Sequence, residues 1–319
     1  MQTLSTEAIE VKISEHYIEY QYFFLEFQSK FLSDLYSRYQ NIENGNLVLH
    51  FAKQTHQNIL RQKDYDLNFD ISYEKFWHNH SIIKPTQRSL IKITGDILLP
   101  KETVRRKILQ LIKQKVLGKK NKYVGWLPND QYKQNYNIFI HREIEGISKL
   151  ISFVCKKLDR PISREELSKE IKKKFSFYWF HYLGVQLKYL RLWNKQFKDP
   201  ELILIFLHVA HLFTSKEKIK NISHKDLYED PSLLKEFINA SISATSISEI
   251  TKIPRATCIR KLEFLVKLKI ISRDKISKRY YIIPSAVTDN LISKKITGEV
   301  VKLFSNFFFI CIRALNIKT

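Results

Sequence analysis

The feature that most restricts what this chain can fold into is an internal duplication. Sliding the sequence by 158 residues lays 4–39 on 162–197 without a gap. Identities fall at Ser5/Ser163, Glu7/Glu165, Ile13/Ile171, Tyr20/Tyr178, Leu25/Leu183, Gln28/Gln186, Lys30/Lys188 and Leu32/Leu190, 8 of 36 positions and several times chance. At an offset of 155 the apolar run Leu47–Phe51 falls on Leu202–Phe206. At 154, PKETVRRKILQLIKQK (Pro100–Lys115) falls on PRATCIRKLEFLVKLK (Pro254–Lys269) with 7 of 16 residues identical. A repeat on this scale implies one supersecondary design used twice. The expected halves are 1–159 and 160–319, with a chain break near Asp159 followed by Pro161 and a Ser163-x-x-Glu166 capping box.

Apolar residues make up 44% of the chain and charged residues 27%, a globular balance. Lys and Arg number 54 against 32 Asp and Glu, giving a formal charge of +22. Such an excess points to a polyanionic partner: nucleic acid first, an anionic membrane surface second. The charge is concentrated, because residues 86–126 and 246–282 together hold +16 of it. Cys155, Cys258 and Cys311 have no CxxC spacing and an odd total, so neither a disulfide framework nor a zinc knuckle is expected and a reducing cytoplasm fits. The N-terminus lacks the basic and apolar regions of a secretory signal. The apolar stretches Leu202–Phe213 and Val300–Ile312 fall short of the roughly 20 residues of a spanning helix and read as core helices, so no membrane partner is expected.

Each half reads as helical: one long N-terminal helix, a second apolar helix, a compact three-helix segment, a short hairpin and a C-terminal helix. The best-marked stretch is Ser246–Ile282. Ser246-x-x-Glu249 predicts the cap of a short helix over 248–251, Lys252-Ile253 the turn, and Pro254 the first position of the next helix. In that helix Cys258, Leu262, Leu265 and Val266 form one apolar stripe, with Ala256, Arg260, Glu263 and Lys267 opposite. LKIISRDKISKRYYIIP then reads as strand, basic turn and strand.

Helix, turn, proline-opened helix and basic hairpin resemble the winged helix-turn-helix of bacterial transcription regulators. The I-P-x-x-T-x-x-R-K-L at Ile253–Leu262 is similar to recognition helices of the MarR and IclR types, and the flanking helices with Ile283-Pro284 are closer to the MarR layout. The first copy departs from the second: Thr94-Gly95-Asp96 replaces the capping box, and KKNKYVGW makes a shorter wing. The turn before Pro254 also lacks the usual glycine. The fold implied is mainly α, with two such modules at about 86–128 and 242–284, each flanked by helices, forming an intramolecular pseudo-dimer.

The resemblance implies that the proline-opened helix enters the major groove of DNA while the wing holds phosphates. In the first copy the DNA-binding candidates are Lys101, Thr103, Arg105, Arg106, Gln110 and Lys113 on the helix, and Lys119, Lys120 and Lys122 on the wing. In the second they are Arg255, Thr257, Arg260, Lys261 and Lys267, then Arg273, Lys275, Lys278 and Arg279. The outward faces read Glu102, Arg106, Gln110, Lys113 and Ala256, Arg260, Phe264, Lys267.

Enzymatic signals are poor: seven glycines form no GxGxxG or P-loop, and no HExxH or GxSxG occurs. The His78-Asn-His80 and His208-Val-Ala-His211 pairs lack carboxylate or Cys companions at ligand spacing, which reads as core or surface histidine. No catalytic residue, metal or cofactor is expected. The expectation is a cytoplasmic, nucleoid-associated, sequence-specific double-stranded-DNA-binding regulator without an obligate homodimer, its effector ligand left open. The alternatives are a replication initiator with paired winged-helix domains and a winged-helix protein–protein scaffold in chromosome organisation.

Overall fold

The computed structural model describes residues 4–83, 90–120, 123–215, 234–282 and 291–315. They are mainly helical, with fourteen helices and two small antiparallel hairpins among the described residues. The expected long N-terminal helix is two helices, α1 (Thr6–Glu15) and α2 (Tyr17–Tyr39), because His16 leaves the helical region at φ −116° and ψ 36°. The second copy repeats both lengths in α8 (Arg164–Lys173) and α9 (Phe175–Phe197), broken at Lys174 with φ −111° and ψ 42°. Ser5 Oγ accepts from the Ala8 N–H at 3.1 Å. At Ser163 the expected capping box is complete: Ser163 Oγ accepts from the Glu166 N–H at 3.1 Å, and the Glu166 carboxylate accepts from the Ser163 N–H at 3.0 Å.

An apolar helix follows each pair: α3 (Ile42–Tyr65), and α10 (Pro200–Thr214), which has Pro at N1 and Asp199 accepting from the Glu201 N–H at 3.1 Å. Next come α4 (Phe76–Ile82), α5 (Leu90–Ile97), α6 (Lys101–Lys113) and the β1–β2 hairpin (Leu117–Lys120, Tyr123–Trp126). Their counterparts are α11 (Leu234–Asn239), α12 (Ala244–Thr251), α13 (Arg255–Lys267) and β3–β4 (Ile271–Arg273, Tyr280–Ile282). Long helices α7 (Asp130–Lys157) and α14 (Leu291–Ala314) follow the hairpins. No helix of the described residues is long and apolar enough to cross a membrane.

Two boundaries differ from expectation by a local cause. The cap of α12 is Ser243, whose Oγ accepts from the Ser246 N–H at 3.0 Å. That helix therefore starts at Ala244, and Ser246 and Glu249 lie inside it. Pro254 is the cap of α13 rather than its first residue, with φ −54° and ψ 136°.

The compact units do not follow the repeat boundary near Asp159. The first unit comprises 1–42 and 196–302, the second 43–195 and 303–319. The first holds α1 and α2 with α10–α13 and β3–β4, the second holds α8 and α9 with α3–α7 and β1–β2, and the residues of α14 are divided between the two. In the first unit α2 lies along α10, and α10 also packs on α12, α13 and β4. The α2 face that Phe24, Phe31, Leu32 and Leu35 close off from water, and the α10 residues Leu204, Ile205, Leu207 and Val209, form that core. The second unit is built on an aromatic cluster: His56 stacks on Phe76 at 4.7 Å, Phe76 meets Phe175 edge-on at 5.2 Å, and Trp179 Nε1 donates to Tyr136 Oη at 3.0 Å.

Candidate functional site

The helices α6 and α13 are each thirteen residues long and are entered and left in the same way. Before them, Leu98 (φ 62°) and Lys252 (φ 63°) take the left-handed conformation that usually falls to glycine. This supplies the turn that the sequence lacks a glycine for. The Leu98 N–H donates to Thr94 O at 2.9 Å, and the Lys252 N–H to Ser248 O at 2.8 Å. After them, Lys115 (φ 57°) and Lys269 (φ 56°) are again left-handed. The Lys115 and Val116 N–H groups donate to Ile112 O and Leu111 O at 2.9 and 3.0 Å, and Lys269 and Ile270 donate to Val266 O and Leu265 O at the same distances. This paired bond pattern closes a helix C-terminus without leaving its carbonyls orphaned.

The same register sorts the side chains. Val104, Ile108 and Leu111 of α6, and Cys258, Leu262 and Leu265 of α13, are buried. Outward stand Glu102, Arg106, Gln110 and Lys113, with Lys101 and Arg105, all exposed. On α13 the exposed set is Ala256, Arg260, Phe264 and Lys267, with Arg255. Thr103 and Thr257 are half-buried. Arg105 lies 3.9 Å from Glu102 on the open surface, a pairing of little energetic weight. Arg255 Nε donates to Thr245 Oγ1 at 3.0 Å. Arg106, Lys113, Arg260 and Lys267 have no hydrogen bond or ion pair among the described residues.

The hairpins differ. β1 and β2 pair from Leu117↔Trp126 to Lys120↔Tyr123. Lys119 is exposed; Lys122 lies outside the described residues, as does the side chain of Lys120. β3 and β4 pair up to Arg273↔Tyr280, leaving a six-residue turn, and β4 is joined on its far side by Ile242 through reciprocal bonds of 2.8 and 2.9 Å. Asp274 orders that turn: its carboxylate accepts from the Ile276 N–H at 3.1 Å and from the Ser277 N–H, and the Ser277 side chain, then the Ser277 and Ile276 backbone N–H groups, hold its pKa below the usual carboxylate range. Arg273 is tied to Glu263 at 2.9 Å and Arg279 to Ser241 O at 3.0 and 3.2 Å. Lys275 and Lys278 remain exposed, and between them Ile276 is 93% exposed. Ile276 escaped the sequence reading, although an isolated isoleucine inside DKISKR marks it.

Of the DNA-binding candidates on α13, Lys261 does not stand on the exposed face. It is 6% exposed, its ammonium bonded to Asp199 and 3.1 Å from Glu201 Oε2. Its counterpart Lys107 is likewise drawn inward, 2.9 Å from Glu43 Oε2. The signal lay in the helical spacing: Lys261 is three residues after Cys258 and four before Leu265, on the apolar stripe itself.

In each histidine pair one member makes an internal hydrogen bond, while His78 is exposed. His80 Nε2 bonds Trp126 O at 2.8 Å, and His208 Nε2 pairs with Ser33 Oγ at 2.9 Å. No family model matches the chain, and no curated protein or solved structure matches it.

Proposed function

We propose that the chain is a sequence-specific double-stranded-DNA-binding regulator of transcription whose two winged helix-turn-helix modules, α5–α6–β1–β2 and α12–α13–β3–β4, act as a dimer does. The observation that carries this reading is the matched pair of helices α6 and α13. Each buries one apolar face and presents an arginine, Arg106 or Arg260, at the centre of an exposed basic one. A helix of this kind fits the major groove of B-DNA, where Arg bonds guanine O6 and N7 bidentately. Lys119, Lys275 and Lys278 on the hairpins are placed for phosphates, which position a protein without naming a sequence.

The outward faces differ, Glu102 and Gln110 against Ala256 and Phe264, so the two half-sites differ as well and the motif is an imperfect palindrome at best. Selection of bound duplexes from a random pool, followed by footprinting and light scattering of the complex, tests this. The expected result is one chain on a two-part asymmetric site with half-sites about one helical turn apart. A pool with no enriched motif would remove sequence specificity. Enrichment of tandem identical repeats bound by several chains would instead favour a replication initiator.

A further inference from the structure

The two arginines are each followed by a lysine that points elsewhere. Consecutive helical residues are about 100° apart around the axis, so an outward Arg106 or Arg260 leaves Lys107 or Lys261 directed at the flank of the module. There each ammonium meets at least one carboxylate at the start of the apolar helix of the same unit. Lys107 Nζ lies 2.9 Å from Glu43 Oε2 and 3.4 Å from Asn44 Oδ1, at the first turn of α3. Lys261 Nζ is held by Asp199 and Glu201, the cap and first turn of α10. The lysine side chains are 13% and 8% exposed. A helix N-terminus repels cations, so these acids help to make the placement favourable. An apolar side chain would fill the same stripe position without fixing a direction, whereas a buried ammonium is tolerated in one setting only, since leaving it unpaired is strongly destabilising.

We propose that Lys107 and Lys261 are positioning residues for DNA recognition: each ion pair sets the rotation of α6 or α13 about its axis and so aims the preceding arginine. This rests on the DNA-binding reading above and adds what orients its reading heads.

The test compares the full-length chain with Lys261→Met and Lys261→Arg, on the duplex selected by the wild type and on a scrambled duplex, alongside thermal melting. Lys261→Met is expected to unfold cooperatively, yet to lose about tenfold in its preference for the selected duplex, the worth of one base contact. Lys261→Arg, which keeps the charge, is expected to restore most of that preference; a purely structural role would move the melting temperature and leave the ratio alone. Glu201→Gln weakens the same pair from its acid side, and Lys107→Met breaks the other copy, so a failure of Lys261→Met to fold leaves two variants that carry the same expectation. Unchanged preference in folded Lys261→Met, or in both of the other variants, would overturn the positioning role and leave DNA binding intact. A wild type that selects no duplex at all would overturn the reading beneath it.

Discussion

The two helix–turn–helix–hairpin modules share a frame and differ in the surfaces they offer. Seven of 16 residues are identical between Pro100–Lys115 and Pro254–Lys269. The shared Pro, Leu and inward Lys set the entry, the core contact and the ion pair, while the lysine at 115 and 269 turns the chain out of the helix. Arg106 and Arg260 are shared and outward; Glu102, Gln110, Ala256 and Phe264 are outward and not shared. The hairpins differ further: in the second, Asp274 orders a six-residue turn between Arg273 and Tyr280. The shared residues lie in the scaffold and the unshared ones on the exposed faces, which is the pattern the proposed function expects of two modules with related but unequal targets.

The largest effects test whether the frames are equivalent. Leu111 and Leu265 are counterparts, 0% and 1% exposed, so Leu111→Ala and Leu265→Ala are each expected to cost about 2–5 kcal/mol in chemical unfolding. A difference between them of more than about 2 kcal/mol, the spread allowed by local relaxation, breaks the equivalence.

Acid contrasts the helices that carry the modules. On α10, burial, with a smaller push from His211, holds the His208 pKa down at about 4. On α3, burial keeps His56 well below its usual value, with His80 adding to it. A folded pKa below the unfolded one, about 6.5, means that the unfolded chain takes up the proton first. Stability from a neutral His208 is therefore complete above about pH 6.5 and declines as pH falls toward 4, by at most about 3 kcal/mol. Urea unfolding at pH 7.5 and 4.5 checks this, with His208→Gln expected to flatten the decline; an equal slope in the variant would assign the acid sensitivity elsewhere.

Next come the reading surfaces. Arg260→Ala is expected to lose roughly 1–3 kcal/mol of preference for the selected duplex over random DNA, while Lys278→Ala weakens both alike. Arg106→Ala should show the same kind of loss but a smaller one, because the second module has the longer, ordered wing. Equal losses on both duplexes for Arg260→Ala would place that arginine on the backbone. The smallest effect concerns the turns: Leu98→Gly and Lys252→Gly each relieve a left-handed side-chain residue and should add up to about 1 kcal/mol of stability. Opposite signs in melting experiments would show that the two turns are not equivalent.

Much of each module was legible because its signals are local. The α13 stripe follows from Cys258, Leu262 and Leu265 at helical spacing, and Ser163 with Glu166 announced the cap of α8 from four residues. Ser243, Ser246 and Ser248 each suit a cap, and only the geometry shows Ser243 taking the Ser246 N–H. The stripe position of Lys261 was legible from helical spacing, but its acids, 62 and 60 positions away in the chain, were not. The division into units was illegible for the same reason: α2 finds α10 across more than 160 residues, and no local pattern records which copy of a repeated helix pair packs on which partner.

The central claim, that the basic faces of α6 and α13 bind the DNA backbone and bases, is tested most directly by titrating the full-length chain on its selected duplex between about 50 and 200 mM salt. If about six phosphates are contacted, log K should fall against log[salt] with a slope near −5, and the Arg106→Ala, Arg260→Ala double variant should bind more weakly with a shallower slope. A slope near zero, or a double variant indistinguishable from the wild type, would contradict the account.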